Sequence, residues 1–92
     1  MKEKVNLNKF KNSKTHLLII KFFHENQQSI DTPRGVATWT GIDIKKVRKA
    51  LDELAKSKIL IATKVPSTTG YSYTQDPELI KEIAALLNKS KI

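Results

Sequence analysis

The chain contains no cysteine, which excludes disulfides, thiolate metal sites and cysteine nucleophiles at once. Glycine and proline are scarce, at three each, and their spacing offers no Gly-rich phosphate loop or flexible linker. Long apolar runs are also missing. The longest, residues 17–20 and 59–62, fall far short of the ~20 residues that span a bilayer. Lys2 and Lys4 open the chain, but no apolar segment and small-residue cleavage site follow them, so no signal peptide is read. Acid is the remaining shortage: 9 acidic residues stand against 17 basic ones, for a formal net charge of +8.

What is present fits one small domain. The 92 residues can bury a single modest core, and 39% hydrophobic with 28% charged residues is a globular composition. A pI near 9.8 favours an acidic partner, with nucleic acid ahead of an anionic membrane surface. Cytoplasmic, nucleoid-associated localisation is the expectation.

Residues 1–12 are polar and basic, with Val5, Leu7 and Phe10 isolated among them, and read as an arm. Ser13 can cap a helix running to about Asn26. Its Leu17, Leu18, Ile19, Ile20, Phe22 and Phe23 cover most of the circumference, so it must be buried on more than one side. Ile30 is a short strand. Thr32 caps a second helix over 33–40 with Pro33 at its first position, and Gly41 stops it. Val36, Ala37 and Thr40 share its inner face.

Asp43 caps a third helix, 44–57, in which Ile44, Val47, Leu51 and Leu54 recur at helical spacing. Residues 59–65 and 71–74 form a hairpin around the turn residues Pro66 to Gly70. Asp76 and Pro77 open the last helix, whose apolar stripe is Leu79, Ile80, Ile83, Leu86 and Leu87. The division is therefore an arm (1–12), a domain (13–76) and a C-terminal helix (77–92) for packing or dimerisation.

The third helix carries the functional signal. Lys49 falls opposite its apolar centre, Lys45 and Lys46 lie to either side, and Arg48 sits on the shoulder. Asp52 and Glu53 interrupt the basic face further on. A helix clamped on one side and basic on the other suits the DNA major groove, where the N-terminal part of a recognition helix reaches base edges.

The segment 36–60, VATWTGIDIKKVRKALDELAKSKIL, resembles the helix-turn-helix of winged-helix transcriptional regulators. The matching positions are Ala37, Gly41, Ile42, Asp43, Val47, Leu51, Leu54 and Ile59, and the continuation GYSYTQDPELIKEIAALL resembles the wing and last helix of MarR-, ArsR- and TrmB-type regulators. The resemblance implies an α+β, mainly α fold: a winged helix-turn-helix with a three-helix core, a two-stranded wing and a C-terminal helix. It implies base readout by Lys45, Lys46 and Lys49. Phosphate contacts would come from Thr32, Arg34, Arg48, Lys64, Ser67, Thr68 and Thr69, with the wing, 60–75, on the backbone or minor groove. It further implies double-stranded DNA as partner and a homodimer through Leu79, Ile80, Ile83, Leu86 and Leu87. No cofactor is implied, any small-molecule effector is unknown, and the missing cysteines argue against sensing of soft metals.

Other residues read as structural. His16 and His24 are eight apart, about 12 Å along one helix, too far to share a metal. Trp39, the only tryptophan, is expected to be partly buried on the flank of the second helix. Tyr71 and Tyr73 share the hairpin face that packs on the helices. Asp52 and Glu53 are adjacent and diverge, so they make no catalytic pair, and no metal motif or nucleophile elbow is present. Nothing in these residues points to an enzyme. Two other readings stand beside the regulator: a winged-helix protein-interaction module of a larger assembly, and a nonspecific DNA-coating protein.

Overall fold

The computed structural model describes residues 5–90. The elements are a 3-10 turn at Leu7–Phe10, then α1 (Lys14–Glu25), β1 (Ile30–Asp31), α2 (Pro33–Thr40), α3 (Ile44–Lys56), β2 (Leu60–Val65), β3 (Thr68–Tyr73) and α4 (Pro77–Ser90).

Local side-chain chemistry sets the helix starts. Ser13 Oγ accepts from the His16 N–H, Thr32 Oγ1 from Gly35, Asp43 Oδ2 from Lys45 and Asp76 Oδ1 from Glu78. Gly41 ends α2 at φ 74°, and its N–H donates to the Ala37 carbonyl at 2.9 Å. The end of α3 is less usual. Lys58 adopts φ 70°, Ile59 N–H donates to the Leu54 carbonyl and Lys58 N–H to that of Ala55. This is a Schellman closure with lysine where glycine normally stands.

The strands form one antiparallel sheet in the order β1-β3-β2. Register pairs Val65 with Thr68 across a two-residue connection, Pro66 and Ser67. The turn is thus shorter than the composition of 66–70 predicts. Thr68, Thr69 and Gly70 belong to β3, where pairing with β2 overrides their turn propensity. Gly70 is useful there for another reason: a Cβ on it would lie 3.0 Å from Ile30 Cγ2, so the Ile30 side chain lies over it.

The core joins Ile19, Ile20 and Phe23 of α1 to Val47, Leu51 and Leu54 of α3, Tyr73 of β3 and Ile83 of α4. The all-round apolar character of α1 is explained inside the chain, because α1 packs against α2, α3, α4 and β3. The N-terminal segment differs from the expected arm. Phe10 is buried, its ring stacks on His16 with centroids 4.9 Å apart, and Val5 and Leu7 pack against the core. Residues 1–4, the start of that arm, lie outside the described residues. Trp39 is also not where its flank position predicted: it is 76% exposed, because nothing in the described chain covers that side of α2.

Candidate nucleic-acid interface

The candidate surface is the solvent side of α3. Val47, Ala50, Leu51 and Leu54 are buried, and Lys45, Lys46, Arg48 and Lys49 are all exposed. Helical phase therefore gathers four cations within two turns on the side away from the core. The N-terminal end of a helix is itself partly positive. Neither α2 nor α3 has an acidic residue in its first turn, and the carboxylate that opposes this charge at α3 is that of its cap, Asp43. Packing four cations at such an end is electrostatically unfavourable in the free protein and favourable once an anion arrives.

Two contacts frame the strip. On one flank, His16 of α1 places Nε2 3.0 Å from Glu53 Oε1 while Nδ1 meets Ser13 Oγ. The neutral tautomer satisfies every partner: Nε2–H donates to the carboxylate, Ser13 O–H donates to Nδ1, and Ser13 Oγ accepts the His16 backbone N–H. On the other flank lies Asp52, whose charge joins burial in pushing the Tyr71 hydroxyl on β3 above its usual range, burial being the larger cause. Asp52 also pairs with Lys56 at 3.1 Å. Lys49 is one turn before both carboxylates and falls between them, with Lys45 one turn earlier on the same row. Lys46 leans toward α1 and Arg48 toward the sheet.

The wing divides its predicted contacts between two faces. Lys64 pairs with Thr69 and Ala62 with Tyr71, so Lys64 and Thr69 share the face on which Tyr71 and Tyr73 pack against the helices. Thr68 and Val65 point the other way, and Ser67 sits at the tip. Lys64, Ser67 and Thr68 are exposed and Thr69 half-buried. Arg34 is exposed in the first turn of α2, and Thr32 beside it is half-buried with its oxygen already capping the helix. The outer sheet face carries Ile30, Ile61, Thr63, Val65, Thr68 and Ser72 without a single charge.

The residues expected at a dimer interface are partly spent within the chain. Leu79 and Ile83 are core residues, while Ile80, Leu86 and Leu87 are half-buried. Among the described residues, the large apolar side chains that remain exposed are Ile30, Trp39, Ile61 and Val65, and none lies on α1 or α4.

No family model and no curated protein matches the chain by sequence. Solved structures do match in shape. BpsR of Bordetella bronchiseptica, whose DNA binding is regulated by 6-hydroxynicotinic acid, superposes with TM-score 0.69 at 17% identity, over 92% of this chain and 62% of that one. YusO of Bacillus subtilis gives 0.66 at 13% identity, over 90% and 60%. The antimony-specific transcriptional repressor AntR gives 0.66 at 16% identity, over 98% and 89%. The fold is a winged helix-turn-helix. The chain spans about three fifths of the first two neighbours' length. In the winged helix, α2 and α3 are the helix-turn-helix, β2 and β3 the wing, and α4 the C-terminal helix. β1 makes the sheet three-stranded rather than a lone hairpin. His16 reaches α3 from α1 through its contact with Glu53, beyond the packing that its sequence position suggests. The signal for it is the spacing Ser13-x-x-His16, which places the ring over the helix cap. Among the described residues no helix is long and apolar enough to cross a membrane, and no acid–histidine cluster could hold a metal.

Proposed function

We propose that the protein is a sequence-specific, double-stranded DNA-binding transcriptional regulator that acts as a homodimer. The observation that carries this reading is the basic strip Lys45, Lys46, Arg48 and Lys49, exposed on the first two turns of α3 and backed by a buried apolar face. α3 enters the major groove. Lys45 and Lys49, on the central row, reach base edges, with Lys46 beside them. Arg48 and Arg34 hold phosphates on either side, helped by Thr32. The wing brings Lys64 and Thr69 over the same side as α3, with Ser67 and Thr68 at its tip, against backbone or minor groove. Lysine lacks the bidentate fork of arginine, so base discrimination is modest and DNA shape supplies the rest.

Selection of binding sites from random duplex DNA tests the reading. An enriched motif with two-fold symmetry is the expected outcome, and equal recovery of unrelated duplexes would replace it with nonspecific coating.

One observation favours a second reading, a protein-interaction module. Trp39 and Ile30 are 76% and 73% exposed, and the outer sheet face is uncharged on a chain of net charge +8. Apolar exposure of this kind without duplex affinity would mark that alternative.

A further inference from the structure

One acid stands at the leading end of the basic strip. Asp43 precedes the first residue of α3 and is exposed. Its Oδ2 accepts the Lys45 N–H at 3.1 Å, and among the described residues Oδ1 has no partner. Capping does not by itself call for a charge. A hydroxyl or amide oxygen caps a helix about as well, and Ser13 and Thr32 do so at α1 and α2. On a surface that meets DNA, a carboxylate facing phosphate weakens binding to every sequence alike, because like charges a few ångströms apart are little screened by salt.

Base edges offer what phosphates do not. In the major groove the hydrogen-bond donors are cytosine N4 and adenine N6. Adenine sets its N7 acceptor beside N6, which opposes a carboxylate, whereas the cytosine edge carries the donor alone. A carboxylate at this depth therefore favours cytosine. The guanine paired with that cytosine presents O6 and N7, two acceptors that suit an ammonium. Asp43 and Lys45 supply the matching acceptor and donor from positions two residues apart. They also lie at the N-terminal end of α3, the part of a recognition helix that meets base edges. The Lys45 N–H holds one carboxylate oxygen and leaves the other for the base.

We infer that Asp43 is a specificity-determining residue whose free oxygen accepts from cytosine N4, at a C·G pair whose guanine faces Lys45. The inference rests on the DNA-binding reading of α3 and adds to it an acid and a preferred base pair that the cations alone do not supply.

Site selection from random duplex DNA with the full chain, Asp43→Asn and Asp43→Ser tests it. Both replacements are good caps, so circular dichroism and the urea midpoint should show α3 intact. The unmodified chain should fix one C·G pair per half-site. Asp43→Asn should turn that position toward adenine, whose N6 and N7 match an amide. Asp43→Ser should relax it. At fixed salt, Asp43→Ser should also bind the selected duplex about tenfold more weakly, although it removes a negative charge from a surface facing an anion, and should bind unrelated duplexes as well as before or better. If both variants select the same bases as the unmodified chain, or tighten binding to every duplex alike, Asp43 is a cap and reads nothing, while α3 still binds DNA. If the unmodified chain enriches no motif, the regulator reading fails and this inference with it.

Discussion

His16 Nε2 sits 3.0 Å from Glu53 Oε1, a contact between the first turn of α1 and the outer flank of α3. It spans 37 residues of sequence and joins the aromatic stack of Phe10 on His16 to α3. Because Glu53 is half-exposed, the pair is worth little: a double-mutant cycle with His16→Ala and Glu53→Ala should give a coupling of about 0.5–1 kcal/mol. Urea denaturation of the four proteins measures it, and a coupling near zero would leave α3 held by its apolar face alone.

Lys58 occupies a left-handed conformation at the end of α3, where a Cβ costs about 1 kcal/mol or more. Lys58→Gly should therefore stabilise the domain by about 0.5–1 kcal/mol after allowing for the greater freedom of glycine in the unfolded chain. The urea midpoint should rise with an unchanged slope. Gly41→Ala, at φ 74° with open space around its Cβ position, should move stability the other way by a similar amount.

Ile83 is fully buried. Ile83→Asp should abolish folding rather than release folded monomers, since it places an unpaired charge in the core. The milder Ile83→Ala should cost about 2–4 kcal/mol, read from the same denaturation curves.

Trp39 is the only tryptophan and largely exposed, so intrinsic fluorescence reports on this single position. Its emission should lie near the fully hydrated limit and be readily quenched by acrylamide. Trp39→Ala should shift stability by only about 0.5 kcal/mol or less. A blue-shifted, protected emission in the free protein would show that something covers this side of α2.

Ser13, Thr32, Asp43 and Asp76 are legible in the sequence as helix starts because capping is local chemistry between residues two or three apart. The apolar period of α3 fixes which side Lys45, Lys46 and Lys49 face for the same reason. Phe10 is not legible: a lone aromatic in a polar stretch has no period, and its burial depends on His16 and the distant core. Trp39 differs again. Its angle on the α2 wheel is correct, but the wheel cannot say whether a neighbour covers a flank. Gly70 and the two threonines before it carry turn composition, yet β2 and Ile30 draw them into the sheet. At the site, the cations are visible in the sequence and their frame is not, since Glu53 meets His16, and Asp52 approaches Tyr71, only through the tertiary fold.

The most direct test of the central claim is titration of Lys45→Ala/Lys46→Ala/Lys49→Ala against selected and scrambled duplexes at two salt concentrations. The three side chains are exposed and support no buried contact, so the variant should fold normally. Its affinity for the selected duplex should fall sharply. The slope of log K against log salt should flatten by roughly one for each phosphate that α3 no longer neutralises. Restoring Lys45 or Lys49 singly should recover discrimination worth about 1–3 kcal/mol at one or two base pairs. If the triple variant matches the unmodified protein in both affinity and salt slope, α3 is not the surface that reads DNA, and the account is contradicted.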